Sequence, residues 1–119
     1  KGQPILYCAD HPSTALLETI VHTTREAIPD TFQLIEIDTA NLPVAEATPP
    51  HGWQADPATT QELGRRFLQE RKAPLLRVPS VIMPKAFNFI VNPLHERAAQ
   101  MSIVAAYRYP FDSRLLGQG

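Results

Sequence analysis

The feature that most constrains the fold of this 119-residue chain is the stretch of residues 75–93, LLRVPSVIMPKAFNFIVNP. It contains two short apolar runs, residues 75–78 and 88–91, and each has the length and composition of a buried strand. The prolines between the runs lack a backbone N–H, so they suit a strand end or an edge better than a central strand. We therefore expect two strands joined by a kinked crossing that holds Ser80 rigidly at the rim of a sheet.

Ser80 has two interpretations at this position. A serine hydroxyl at a strand end commonly caps nearby backbone groups. The other interpretation is that the hydroxyl faces a ligand. These neighbouring residues alone leave both interpretations open.

The rest of the chain alternates strand and helix patterns and then ends in strands. Asp10 or Ser13 is expected to cap the first helix, and Pro29 to end it. The pattern predicts an α+β domain with a mixed or antiparallel sheet, because the late strands follow one another without long crossovers. The expected elements are a strand over residues 5–9, a helix reaching residue 28, a strand over 32–38, a surface loop over 41–53, a helix after Asp56, the two strands above, and a strand over 101–109.

The predicted first helix has an apolar face and a charged flank. Glu18, His22 and Arg25 form a stripe about 100° from the apolar face, by the helical repeat. One interpretation of the stripe is a solvated flank whose side chains pair at a spacing of three or four residues. The apolar face is expected to carry Leu17, Ile20, Val21, Thr24 and Ile28.

Composition limits the class of protein. The length fits one domain over residues 1–119, and the hydrophobic fraction of 44% and charged fraction of 19% are ordinary for soluble globular proteins. A net charge of −1 gives no electrostatic footprint for nucleic acid or an anionic membrane. No apolar run approaches the roughly 20 residues that span a bilayer, and no signal peptide is visible, so we expect a cytoplasmic protein.

The sequence lacks the motifs of several common types of functional site. There is no Gly-rich phosphate loop, no HExxH motif and no nucleophile elbow around Ser80. The single cysteine, Cys8, excludes an internal disulfide and a cysteine-rich zinc site. Glu18 and His22 could begin a metal site, but a third ligand is not evident, so no metal is expected.

Residues along nearly the whole chain match one pattern in their order and spacing. They are Tyr7-Cys8-Ala9, Ala15-Leu16-Leu17-Glu18, His22, Trp53, Thr60-Gln61, Gly64, Val78-Pro79-Ser80, Asn88, Asn92-Pro93, His95 and residues 111–115. This pattern resembles the RES domain, a family named after an Arg, a Glu and a Ser. Two positions depart from the family pattern. Phe67 stands where the family usually has Trp, and the family's Arg, in a Gly-Arg-Trp-Asn-like run, would lie upstream of Lys1. Since the chain also opens abruptly on a strand, we expect further residues upstream.

The resemblance implies a function. RES family members are toxins of bacterial toxin–antitoxin pairs, and their fold is similar to that of ADP-ribosyltransferases. These toxins destroy NAD by hydrolysis or phosphorolysis, or in some cases modify a protein. By resemblance, Glu18 is the catalytic carboxylate, Ser80 is the family's catalytic serine, and Tyr7 is the tyrosine beside the NAD pocket. NAD is then a substrate, no other cofactor is implied, and an Xre-like antitoxin protein is the implied partner. We expect Glu18 to face a cleft shared with Tyr7 and Ser80.

The chemistry agrees with these residue types. Cleavage of the nicotinamide–ribose bond builds positive charge on the ribose, which a carboxylate stabilises. An aromatic ring can stack on nicotinamide, a serine hydroxyl can hold the amide or the ribose, and an arginine would neutralise the pyrophosphate. The alternative is a catalytically silent RES-like module that binds protein, or an inactive fragment. The sequence does not determine which acceptor receives the ADP-ribosyl group: water, phosphate or a protein side chain. It also does not determine whether copies of the chain associate.

Overall fold

Two α-helices and six strands form in residues 4–117, the residues described by the computed structural model. This is the predicted α+β arrangement. The elements are β1 (Leu6–Ala9), α1 (Pro12–Val21), β2 (Thr31–Asp38), β3 (Val44–Glu46), α2 (Pro57–Glu70), β4 (Leu75–Pro79), β5 (Phe87–Val91) and β6 (Ser102–Pro110), with short 3₁₀ helices at Arg25–Ala27, Trp53–Ala55, Ala98–Gln100 and Ser113–Leu116.

The two strands predicted from the central stretch, β4 and β5, are the middle of a four-stranded mixed sheet. The strand order is β1-β5-β4-β3, in which β5 is antiparallel to both neighbours and β3 runs parallel to β4. β4 ends at Pro79, as expected for a residue that cannot donate to a strand ladder. The backbone N–H of Ser80 then donates to the Ala86 carbonyl at 2.9 Å, which closes the crossing between the strands.

β4 and β5 carry apolar side chains on both faces, with Arg77 and Asn88 as exceptions, because both faces are covered. On one face Leu76 and Ile90 pack with Phe67 of α2. On the other face Leu75 and Val91 pack with Leu42. This explains why the two strands appear in the sequence as continuous apolar runs instead of alternating ones.

α1 differs from the prediction at both ends. His11, and not Asp10 or Ser13, is the N-cap, and its Nδ1 accepts the Ser13 N–H at 3.1 Å. The helix ends at Val21 instead of residue 28, because two β-branched threonines follow His22 and Thr24 is extended.

The predicted apolar face of α1 is only partly correct. Leu17 and Ile20 are half-buried, whereas Val21 is 57% exposed, since it lies in the last turn. The buried residue of the helix is Thr14.

β2 and β6 form a separate two-stranded antiparallel sheet, with a register shift between Glu36 and Ile37. β6 therefore does not continue the sheet of β4 and β5. Large apolar side chains of this ribbon stay in contact with solvent, and Ile103 is 65% exposed. The loop expected over residues 41–53 contains the short strand β3. Among the described residues, no helix is long and apolar enough to cross a bilayer.

The close packing of α2 on the sheet gives a prediction for Gly64→Ala. A methyl group at Gly64 would lie 3.8 Å from Ile90 Cδ1, an ordinary van der Waals distance. Alanine is favoured over glycine inside a helix by about 0.8–1 kcal/mol. We predict that the free energy of unfolding, measured by urea denaturation, rises by about 0.5–1 kcal/mol.

The matched control is Gly52→Ala. Gly52 has φ of +82°, where alanine is strained, so this variant should lose about 1 kcal/mol. A loss of stability in Gly64→Ala would show that the helix–sheet contact cannot accept a methyl group.

Candidate active site

A cavity of about 670 Å³ lies between β1, α1 and β5. Its volume falls in the range of sites that bind small molecules and cofactors. The lining residues are Tyr7, Cys8 and Ala9 of β1, Ala15, Glu18 and Thr19 of α1, His22 and Thr23 after the helix, and Asn88 of β5.

The chain path brings the first helix to this cavity. Ala9 pairs with Asn88 at the end of β1, and the Asp10 N–H donates to the Phe87 carbonyl at 3.1 Å. Thr14, one turn into the helix, is buried, and Glu18 follows it by four residues on the same face. The Glu18 side chain is therefore only 22% exposed and is directed to the sheet.

Two donors from the sheet hold one oxygen of the Glu18 carboxylate. Asn88 Nδ2 donates to Glu18 Oε2 at 2.7 Å, and Ser80 Oγ donates to the same oxygen at 3.2 Å. The other oxygen, Oε1, lies 3.5 Å from Nε2 of His22, whose side chain is 74% exposed. The carboxylate is therefore fixed at Oε2, while Oε1 lies beside a residue of the cavity wall.

Ser80 is buried, and its hydroxyl is fully engaged. Besides donating to Glu18, Oγ accepts the N–H groups of Ile82 and Met83 at 3.2 and 3.1 Å. A serine hydroxyl has one proton and two lone pairs, so these three bonds use its whole capacity. Ser80 is not among the residues that line the cavity. The structure therefore supports the capping interpretation of Ser80, and the bond to Glu18 connects this cap to the candidate carboxylate.

Tyr7 and Cys8 form the β1 wall of the cavity. Tyr7 is 68% exposed, so its ring is available to a ligand. Burial raises the pKa of the Cys8 thiol, which keeps it protonated near neutral pH and makes it a poor nucleophile. The structure thus places Tyr7 and Glu18 on one cavity and joins Ser80 to Glu18 from behind the cavity wall.

Charge is sparse on the cavity wall. Among the described lining residues, Glu18 is the one acid and His22 the one basic side chain. Within residues 4–117, no group of three or more His, Cys, Asp or Glu side chains is arranged to hold a metal ion.

Asn88 is a residue of this site that does not belong to the set predicted from the sequence (Glu18, Ser80 and Tyr7), although it matches the family pattern. A signal was present, because an amide in the otherwise apolar run FNFIV must find a hydrogen-bond partner when the strand is buried. Its partner, Glu18, lies 70 residues away along the chain and could not be identified from local pattern.

Comparison with known proteins gives relatives over nearly the whole chain. A relative from Pseudomonas putida, Toxin Res, is 41% identical over 119 residues, which cover 96% of this chain and 81% of the relative. Toxin Res of Yersinia enterocolitica is 34% identical, covering 97% of this chain and 80% of that protein. Prs ADP-ribosylating toxin of a Sphingobium species is 33% identical, covering 97% of this chain and 76% of that protein.

The family model of the RES domain matches residues 1–112. This match covers most of the chain and includes Tyr7, Glu18, Ser80 and Asn88. The resemblance found in the sequence is thereby confirmed, and the chain belongs to the RES domain family.

Proposed function

We propose that this protein is a toxin that binds NAD in the cavity beside α1 and cleaves its nicotinamide–ribose bond. The observation that carries the proposal is the Glu18 carboxylate, which two donors from the sheet fix at the wall of a cavity large enough for part of a dinucleotide. The names of the three relatives support a toxin, and one of them is named as ADP-ribosylating.

Glu18 stabilises the charge that develops as the bond breaks. The C1′–N bond opens, and nicotinamide leaves as a neutral molecule with the bonding electron pair. The positive charge passes to the ribose, where the carboxylate opposes it electrostatically. Water or phosphate then adds to C1′ and gives up a proton, yielding ADP-ribose or its 1-phosphate.

Tyr7 and Ser80 have different parts in this proposal. The exposed ring of Tyr7 offers a flat face on which nicotinamide can stack. Ser80 acts through Glu18, because its hydroxyl is bonded to the carboxylate and to backbone, and it does not line the cavity.

A second candidate acceptor is a protein side chain. The name of the Sphingobium relative, Prs ADP-ribosylating toxin, supports transfer of ADP-ribose to protein. The bond that breaks and the use of Glu18 are the same for either acceptor. By the same family argument, an Xre-like antitoxin neutralises the protein, and the cytoplasm, which holds NAD, is where it acts.

Glu18→Gln tests the proposed chemistry. Glutamine keeps the size of the side chain but removes the charge that opposes the ribosyl cation. We predict that kcat for nicotinamide release falls by about a hundredfold or more, with KM little changed. The matched control is Glu36→Gln, on the exposed part of β2, which should keep the parent rate. Normal NAD consumption by Glu18→Gln would remove the carboxylate from the mechanism, and an inactive parent would favour the silent module.

Ser80→Ala should affect stability and turnover together. The variant leaves the N–H groups of Ile82 and Met83 without their acceptor, which should lower the free energy of unfolding by about 1–3 kcal/mol. It also removes one of the two donors to Glu18 Oε2, so kcat should fall more than KM rises at a temperature where circular dichroism shows the variant folded. A rise in KM with unchanged kcat would instead indicate direct contact between the Ser80 hydroxyl and NAD.

Cys8 reports on NAD binding without turnover. It is the one cysteine of the chain and lines the cavity, so bound NAD should shield it from iodoacetamide. In Glu18→Gln, NAD at ten times its Kd should slow alkylation about tenfold. Because the thiol pKa is raised, the rate without NAD should be slow at pH 7 and rise steeply toward pH 9. Alkylation that saturating NAD leaves unchanged would place the dinucleotide elsewhere.

A further inference from the structure

We propose that Asn88 is the positioning residue of the catalytic carboxylate: its side-chain amide fixes Glu18 so that Oε1 is the oxygen available to the reacting ribose. This rests on the proposed function, and it assigns a role to a residue outside the set of Glu18, Ser80 and Tyr7.

The hydrogen-bond distances favour Asn88 over Ser80 as the main anchor. The Asn88 Nδ2 to Glu18 Oε2 distance is 2.7 Å, at the short end for an N–H donor, as expected when the acceptor is ionised. The Ser80 Oγ to Glu18 Oε2 distance is 3.2 Å, which is long for an O–H donor. Asn88 therefore makes the stronger of the two bonds to the carboxylate.

Asn88 has a short side chain on a central strand, whereas the carboxylate of Glu18 is at the end of a longer side chain on α1. Asn88 lies on β5 in the sheet interior, where it pairs with Ala9 of β1 and Val78 of β4. Glu18 lies on α1, in which Thr14 is the buried residue. The long side chain of Glu18 has several rotatable bonds. A bond from a fixed amide removes this freedom before substrate arrives, which is the preorganisation that electrostatic catalysis requires.

The second polar atom of Asn88 shows which way the amide must face. Oδ1 is buried and has no hydrogen-bond partner among the described residues. The opposite orientation would bring Oδ1 against Glu18 Oε2, placing two acceptors about as close as the present bond, so it is excluded while Glu18 is ionised. An unsatisfied buried carbonyl typically costs about 1–3 kcal/mol. The protein tolerates this cost because the other polar atom of the same amide, Nδ2, donates to the Glu18 carboxylate.

Replacement of Asn88 tests the role against two alternatives, a packing role and direct contact with NAD. Asn88→Ala removes the amide, and Asn88→Asp keeps its shape but replaces the donor by a charge that repels Glu18. We expect kcat to fall by about a hundredfold in Asn88→Ala, at least as much in Asn88→Asp, and KM to stay within about twofold of the parent. Gln33→Ala, an amide deletion on the exposed part of β2, is the matched control and should keep the parent rate.

The double variant shows whether Asn88 acts through the carboxylate. In the Glu18→Gln background, Asn88→Ala should cause little further loss of rate, because the group it positions is already removed. Independent, additive losses would overturn the proposal, and so would normal kcat in Asn88→Asp. A raised KM with unchanged kcat would make Asn88 a substrate contact instead.

A spectroscopic measurement separates this proposal from the proposed function. The ¹⁵N–¹H resonances of the Asn88 side-chain amide should move upfield in Glu18→Gln, because the charged acceptor is lost. This measurement does not depend on whether the Asn88→Ala variant folds. Unmoved resonances would overturn the bond itself. A parent that releases no nicotinamide would overturn the proposed function and the positioning role with it, whereas an active parent with a fully active Asn88→Ala would overturn the positioning role alone.

Discussion

The structure around the cavity depends on the hydrogen bonds that join Glu18 of α1 to Asn88 and Ser80 of the sheet. α1 contributes few buried apolar groups, and its buried residue is Thr14. Hydrophobic packing alone therefore stabilises the contact of α1 with β1 and β5 only weakly. Charge-assisted bonds to a partly buried carboxylate are stronger than neutral ones and give that contact a single geometry. The residue proposed to carry the chemistry therefore also fixes the helix that presents it.

The donors can hold Glu18 because they belong to the most buried part of the fold. Ser80 follows β4 directly, and Asn88 lies in β5, the two strands that are covered on both faces. Packed interiors move little, so polar groups attached to them are held accurately in place. The same buried strands that form the core thus position the site, which lies at the edge where α1 meets them.

Sequence patterns predicted the parts of the fold that depend on local composition. The apolar runs of β4 and β5 and the proline at the end of β4 were sufficient for those strands, and family resemblance indicated Glu18 and Ser80. The cap by His11 and the early end of α1 were missed, because apolar spacing continues past the last hydrogen-bonded turn. The separate β2–β6 sheet and the pairing of Asn88 with Glu18 depend on contacts between distant residues, which no local pattern contains.

In the proposed reaction, the Glu18 carboxylate can act only if its charge is correctly placed. In NAD the nicotinamide ring already carries a positive charge that it loses as the bond breaks, so a carboxylate near the ring would stabilise the bound substrate more than the transition state and slow the reaction. Only a carboxylate near C1′ gains energy as the charge moves from the ring to the ribose. Among the described residues of the cavity wall Glu18 is the one acid, so no other carboxylate there can take its place. A site of this kind needs its carboxylate held in one position, and the hydrogen bonds from Asn88 and Ser80 to Glu18 Oε2 can hold it there.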